Sequence, residues 1–409
     1  MSAFPIFQTT TANTAQLQFS LKLLQQVAKS DDKGPVALSP LGVLAALALV
    51  LAGSDGPTQA AFQQVLFGAT SNPARAEKAF ADWLRQLLDP GQLIGIDDEP
   101  ADEAPAGALL QLATSLWADQ HFAPAPDFVA RMQTYYDAEV ATLDFMAPTA
   151  APAINEWVRQ HTAGKIESIV SEAALRLLPP PQLMLLNAVY FNARWAYEFD
   201  PEATRPGLFR RADGTTQAAD LMHQVSEGMG YLARAGWQAV SMPYLSFGRG
   251  FSMLVFLPDS PDGLPAFLAG LDAGSWDSWH KALRATQGIE VDLTFPRLRL
   301  EWSADLVPVL RELGLGPAFA PGADFSALGY RDADGGGFIG AVLHKTFLQL
   351  DEVGTEAAAV TAIMCAGGGP YEPEPPRRVA VRIDSPFLYA IVDDQDGTLL
   401  FAGTVSELT

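Results

Sequence analysis

The segment of residues 352–361 constrains the fold of this chain more than any other. Its sequence, Glu-Val-Gly-Thr-Glu-Ala-Ala-Ala-Val-Thr, is rich in alanine, and its composition alone predicts a surface helix or a linker. It lies, however, between an alternating segment, residues 346–351, and a flexible Met-Cys-Ala-Gly-Gly-Gly run. Because side chains alternate along a strand, a strand here would have two distinct faces. The small face would hold Thr355, Ala357, Ala359 and Thr361, and the other face Glu356, Ala358 and Val360. A strand with so little bulk could enter between two existing strands without a large cavity, although the segment taken alone favours the surface helix or linker.

Composition limits the classes of function. The chain has 409 residues, of which 49% are hydrophobic and 18% charged, so it can build a large core and is not of the disordered class. Its formal net charge is -21, from 26 basic and 47 acidic residues. We therefore expect no nucleic-acid partner and no membrane partner, because both are anionic surfaces. The simpler interpretation of the acidity is solubility.

The chain carries no visible targeting or membrane signal. Residues 1–19 lack a basic region followed by an apolar run, so we expect no signal peptide and a cytoplasmic location, with a secreted mature form left open. The longest apolar stretch, residues 41–52, is too short to span a bilayer and follows the helix start Ser39-Pro40, which predicts a buried helix. The single cysteine, Cys365, excludes an intramolecular disulfide.

Periodicity predicts an α+β fold. Helical spacing is concentrated early, at residues 16–29, 59–66, 73–88 and 151–161 and after Ser39-Pro40. Strand patterns dominate later, at residues 239–242, 251–257, 289–295, 299–302, 379–383, 387–392 and 399–405, with strands also at 111–117 and 182–191 and a helix at 303–313. Length alone would allow two or three domains. No linker divides the chain, and too few residues follow the Pro-rich stretch 370–376 to form a domain.

We find no catalytic or metal-binding constellation. Asp332-x-Asp334-Gly335 is similar to a calcium loop, but Leu343 stands where the bidentate glutamate is required, which favours a turn. Asp394-x-Asp396-Gly397 predicts a hairpin turn. We therefore expect no cofactor, no metal and no enzyme activity.

The chain resembles the serpin superfamily over nearly its whole length. The order and spacing of several blocks carry this resemblance: Ser39-Pro40, Tyr136, Glu139, Asp144-Phe145, Thr162-x-Gly164-Lys165, Asn187 to Trp195, Met242-Pro243-Tyr244, Phe295-Pro296, His344-Lys345, residues 352–361, Pro386-Phe387 and Phe401-Ala402-Gly403. It implies a single serpin domain over 1–409, with a mixed main β-sheet, two smaller sheets, surrounding helices and an exposed reactive-centre loop at about 352–378. Two departures stand out. Gly42 replaces a small hydroxyl residue, and the early helices lack the basic run of heparin-binding members, so no heparin partner is expected.

The resemblance also assigns site residues. It places the hinge at Glu352, Gly354, Thr355, Glu356, Ala357, Ala358, Ala359 and Thr361. It implies that Ser39, Asn187 and His344 form a polar cluster where the sheet opens, and that Trp195 packs where the loop enters. In isolation, His344 and Trp195 would each be interpreted as ordinary core residues.

The reactive bond follows from spacing. Counting from Glu352 places it at Gly368–Gly369, whereas counting back from Pro386-Phe387 points several residues later, near Pro375. We prefer the first count, because that part of the loop must fit the sheet. Alternatives for the cleaved residue are Ala366, Gly367 and Tyr371. Arg377 and Arg378 are expected to begin the next strand.

The implied function is a monomeric suicide inhibitor of serine, or cysteine, endopeptidases. Its partner would be a target protease, with an elastase-like or subtilisin-like enzyme favoured by the small residues near Gly368. The alternative is a non-inhibitory serpin that acts as a carrier, chaperone or storage protein. The small face of the hinge argues against it, because such members tend to lose that pattern.

Overall fold

Helices dominate the first part of the described chain, and strands dominate the second. The structure is a computed structural model that describes residues 10–30, 34–68, 73–89, 109–176, 182–246, 248–329, 337–355 and 376–408. In chain order the helices are α1 Thr10–Ser30, α2 Pro40–Leu51, α3 Gly56–Phe67, α4 Pro73–Leu87, α5 Pro126–Tyr136, α6 Ala150–His161, α7 Glu172–Leu175, α8 Leu264–Ala269, α9 Ala273–Arg284 and α10 Val307–Leu310. Among these described helices, none is long and apolar enough to cross a membrane.

The strands form three sheets, which confirms the predicted α+β class. They are β1 Val36–Leu38, β2 Leu109–Asp119, β3 Glu139–Leu143, β4 Leu183–Arg194, β5 Arg205–Arg210, β6 Thr216–Ser226, β7 Gly230–Arg234, β8 Trp237–Pro243, β9 Phe251–Pro258, β10 Ile289–Pro296, β11 Leu298–Asp305, β12 Ile339–Leu350, β13 Gly354–Thr355, β14 Arg377–Arg382, β15 Phe387–Asp393 and β16 Leu399–Val405. The main sheet has the order β11-β12-β13-β4-β2-β3, the second sheet β1-β16-β15-β9-β8-β7, and the small sheet β14-β10-β6-β5. The main sheet is mixed, because β12 runs parallel to β4, and β2 parallel to β3.

Helix α2 lies between the main sheet and the second sheet. Every residue from Pro40 to Leu51 is buried, as the apolar stretch predicted. Ser39 caps its N-terminus by accepting a hydrogen bond from the Gly42 N–H, and Pro40 is tolerated in the first turn because its position needs no N–H donor. The helix contacts β2, β4 and β16, so it supports the main sheet from beneath.

One predicted helix begins later than expected. Residues 303–305 continue strand β11, whose buried Leu298, Leu300 and Trp302 alternate with exposed residues. The helix begins only at Val307, with Pro308 in its first turn. The short alternating pattern therefore extends past residue 302, and the prediction for 303–313 was wrong over its first residues. The turn predicted at Asp394-x-Asp396-Gly397 is confirmed, with Gly397 at φ 74 between β15 and β16.

Candidate functional site

The main sheet forks at one end, around the two residues of β13. Thr355 pairs with Leu350 of β12 on one side and with Ala193 of β4 on the other. Farther along, β12 and β4 pair directly, from Phe347–Tyr190 to Ile339–Leu183. The start of the predicted hinge is therefore a strand inserted between β12 and β4.

Gly354 is required at the fork because the backbone of β4 approaches it closely. A Cβ atom on Gly354 would lie 2.2 Å from the carbonyl oxygen of Ala193 and 2.6 Å from the Cα of Arg194. Both contacts are to backbone, which has little freedom to move within a paired strand. Any larger residue at this position would push the hinge out of the sheet.

Thr355 is fully buried, and an aromatic pair receives it. Its hydroxyl shares a hydrogen bond of 2.8 Å with the hydroxyl of Tyr244. The ring of Tyr244 stacks on Trp195, with centroids 4.5 Å apart and planes inclined by 12°. Trp195 in turn donates from its backbone N–H to the Val353 carbonyl at 2.9 Å and from Nε1 to the Asp351 carbonyl at 3.0 Å. Trp195 therefore packs beside the turn that leads into β13, together with Tyr244, which belongs to a block that carries the resemblance but was assigned no role.

Glu352 fixes the turn between β12 and β13 through an ion pair. Arg297 donates from Nε to both carboxylate oxygens, at 2.9 and 3.0 Å, and from its terminal nitrogen at 2.6 Å. The Thr204 hydroxyl donates to the same carboxylate at 2.5 Å. The Glu352 side chain is 6% exposed and that of Arg297 45% exposed. Burial opposes ionisation of Glu352, but the hydrogen bonds from Arg297 and Thr204 outweigh it, and the pKa of Glu352 is lowered. No pattern in the sequence indicated a role for Arg297 or Thr204.

The predicted polar cluster of Ser39, Asn187 and His344 lies together beneath the sheet. All three are buried, and His344 and Asn187 are register partners on β12 and β4. His344 Nε2 accepts the backbone N–H of Ser39 at 3.0 Å, so the ring is neutral and carries its proton on Nδ1. Burial lowers the pKa of His344 to about 3, although the backbone of Asn187 opposes the shift.

The hydrogen bonds of this cluster differ from the expected pairing. The Ser39 hydroxyl donates to the Leu400 carbonyl at 2.6 Å, and Asn187 Nδ2 donates to the Thr114 hydroxyl at 3.0 Å. Among the described residues, Asn187 Oδ1 and His344 Nδ1 have no partner, although both are buried. The three side chains are therefore close, but they do not bond mainly to one another. Thr114 completes the cluster, and the sequence did not indicate it.

Gly42 explains part of this arrangement. A Cβ atom at Gly42 would lie 2.1 Å from Asn187 Oδ1 and 2.8 Å from Val189 Cγ2. The missing hydroxyl noted in the sequence thus does more than remove a polar contact. It lets β4 and the Asn187 amide approach helix α2 to a distance that no side chain would permit.

Several predicted residues lie outside the described part of the chain. These are the reactive bond Gly368–Gly369, its alternatives Ala366, Gly367 and Tyr371, the distal hinge residues Glu356, Ala357, Ala358, Ala359 and Thr361, the turn 332–335, and Cys365. Arg377 and Arg378 begin β14, as predicted. Within the described ranges, no three His, Cys, Asp or Glu side chains are grouped so that they could hold a metal ion.

Comparison with known proteins assigns the family. The family model described as serpin (serine protease inhibitor) matches residues 14–408. Leukocyte elastase inhibitor of Equus caballus is 32% identical over 410 aligned positions, which cover 98% of this chain and 99% of the relative. This chain belongs to the serpin family.

Solved serpin structures share the fold. The native state of the thermophilic serpin tengpin superposes with a TM-score of 0.80 at 26% identity, covering 100% of this chain and 96% of tengpin. Human thyroxine-binding globulin complexed with thyroxine gives a TM-score of 0.80 at 25% identity, covering 97% of this chain and 98% of the globulin. The three-sheet architecture described above is therefore the serpin fold.

Proposed function

We propose that this protein is a suicide inhibitor of serine endopeptidases. The observation that carries the proposal is strand β13, because the buried Thr355 already lies between β12 and β4 at the start of the small-residue loop. The resemblance to leukocyte elastase inhibitor supports an elastase-like target. The whole chain, 1–409, would act as one monomeric domain with its loop at about 352–378.

The mechanism follows from the fork. The protease serine attacks the carbonyl carbon of Gly368, the Gly368–Gly369 amide bond breaks, and the Gly369 nitrogen leaves as an amine after taking a proton. The loop carboxyl group is then an ester of the protease serine. With its distal connection cut, the loop extends β13 along the main sheet and carries the acylated protease with it. The nucleophile belongs to the target, so this protein is not the catalyst.

The small residues at the proposed bond favour a protease with a narrow specificity pocket. Ala366, Gly367 and Gly368 would suit an elastase-like or subtilisin-like enzyme, whereas cleavage at Tyr371 would suit a chymotrypsin-like one. A complex with elastase that survives denaturing electrophoresis, with mass spectrometry of the released C-terminal peptide, identifies both the activity and the bond. Cleavage without any stable complex, over a panel of serine proteases, would refute inhibition.

A matched pair of variants tests whether β13 is responsible. Thr355→Arg places a charge where the threonine is fully buried, so the strand should stay outside the sheet. We expect the variant to be cleaved as a substrate and to trap little protease. Thr134→Arg, at an exposed position of α5, is the control and should trap like the wild type. Trapping by Thr355→Arg at the wild-type stoichiometry would show that insertion does not use this face.

The second candidate is a carrier function. It is supported by the fold shared with a globulin complexed with thyroxine. A carrier would be nicked in its loop without forming a stable complex, so the same electrophoresis experiment separates the two candidates.

A further inference from the structure

A pocket of about 300 Å³ lies on the outer face of the small sheet. Thr294 of β10 pairs with Arg382 of β14 on one side and with His223 of β6 on the other, so these three side chains share one face. The opposite face holds the fully buried core residues of β6 and β10. The pocket is lined by Ala203, Arg205, Pro206, Leu221, His223, Thr294 and Arg382. Its volume is at the lower end of the range for small-molecule sites.

The lining combines cationic and apolar side chains. Leu221 is only 4% exposed although it lies on the outer face, and it supplies the apolar part of the lining together with Ala203 and Pro206. Arg205 and Arg382 contribute two guanidinium side chains to the lining. No carboxylate lies among the described lining residues, which is notable in a chain of formal net charge -21.

The neighbouring acids leave donors free on both arginines. Arg382 uses Nε for Asp384 at 2.8 Å, which leaves its two terminal nitrogens. Arg205 donates to the backbone carbonyls of Glu202 and Thr204 and pairs with no carboxylate in the described chain. Asp292 lies on the same face of the sheet, two residues before Thr294, and it is not a lining residue. Its carboxylate already contacts His223 Nε2, at 2.8 Å, and Arg378, also at 2.8 Å. Planar guanidinium groups with free N–H donors match carboxylate geometry.

We propose that this pocket binds a small organic carboxylate, with its apolar body on Leu221 and its carboxylate between Arg205 and Arg382. The site is independent of the proposed protease inhibition. All four strands of the small sheet contribute residues to the pocket, from β14 at one edge of the sheet to β5 at the other. A ligand held by both arginines therefore links the two edge strands.

The two edge strands, β14 and β5, lie next to the two ends of the proposed reactive-centre loop. β14 begins at Arg377, just after the loop, and pairs with one strand only, β10. Arg205 directly follows Thr204, whose hydroxyl holds Glu352 at the other end. Bound carboxylate should therefore slow the opening of β14, which has neighbours on one side alone.

Titration calorimetry with 1-naphthoate, and separately with sulfate, tests the site. We expect naphthoate to bind, and Arg382→Gln or Arg205→Gln to weaken it by about tenfold each, because each removes a charge-assisted hydrogen bond. Arg377→Gln is the control, since it removes the same charge from β14 outside the pocket, and its affinity should match the wild type. Equal affinity for sulfate would overturn the carboxylate assignment in favour of a general anion site. Absence of naphthoate binding, or binding that neither pocket variant weakens, would overturn the site itself.

Hydrogen exchange supplies a second measurement that does not depend on the variants. Saturating naphthoate should slow exchange of the β14 amides Val379 and Val381 several-fold and leave those of β7, in the second sheet, unchanged. Unchanged exchange in β14 despite binding would overturn the link between the strands. Both experiments are made without protease, so their failure leaves the inhibitory proposal standing.

Discussion

Removing the Arg297 side chain should weaken the hinge through a buried charge. In Arg297→Ala, Glu352 keeps only the Thr204 hydroxyl and the backbone as partners, while its carboxylate stays 6% exposed. Breaking a buried ion pair typically costs about 3–5 kcal/mol. Because the Arg297 side chain is 45% exposed, water screens part of the interaction, and we expect roughly 1–3 kcal/mol.

A double-mutant cycle with Glu352→Gln isolates this pair from other effects. The neutral amide needs no counter-charge, so Arg297→Ala should cost less than about 0.5 kcal/mol in that background. The measurement is the urea midpoint for loss of the native state, with the slope of the transition checked for constancy. Arg234→Ala, an exposed arginine of β7, is the control and should leave the midpoint unchanged. An equal cost of Arg297→Ala in both backgrounds would show that the ion pair does not hold the hinge.

Three further predictions concern the polar cluster and the loop. Gly42→Ala should destabilise the native state by about 1–3 kcal/mol in urea unfolding, because the added Cβ would meet Asn187 Oδ1. The control Gly316→Ala, where the added Cβ would meet open space, should leave the urea midpoint unchanged. Equal urea midpoints of the two variants would show that the sheet adjusts freely. His344 has a pKa of about 3 in the native state against 6.5 ordinarily, so its contribution is full above about pH 6.5 and is lost as the pH falls toward 3, at up to about 1.4 kcal/mol per pH unit. His344→Gln should flatten that slope between pH 6 and 4, and an unchanged slope would assign acid sensitivity to other groups. Cleavage within residues 366–371 should raise the thermal midpoint sharply, and equal midpoints of intact and nicked protein would contradict a metastable native state.

Local patterns in the sequence were sufficient to predict many of the helices and strands. The apolar run after Ser39 predicted a buried helix, and the nearly continuous apolar run at 182–191 predicted a strand covered on both faces, which is β4. Both signals are contained within one element, so they do not depend on distant partners. The strand β5 was missed for a local reason as well. It contains Pro206 and Gly207, and both residue types argue against a strand. Proline is tolerated here because β5 is an edge strand.

Most hydrogen-bond partners in the candidate site could not be predicted from such local patterns. Glu352 meets Thr204 across 148 residues, and Asn187 meets Thr114 across 73. No periodicity connects residues so far apart, because their meeting depends on strand order and register. The resemblance to the family brought Ser39, Asn187 and His344 together, but it did not indicate which atoms would bond. Gly42 contributes to that detail, because the absence of a side chain there leaves room for the Asn187 amide.

The fork at β13 has a consequence for the rate of any strand insertion. When a strand pairs stepwise with its neighbours, the slow event is usually nucleation, when a free segment loses its conformational entropy to make a first contact. Here that event is already complete, since Thr355 is seated between its two neighbours. Extension of β13 would next have to separate the Phe347–Tyr190 pair and, shortly beyond it, the His344–Asn187 pair. The pace of insertion would then be set by how readily these pairs part, and the composition of the loop would decide only whether the new strand fits.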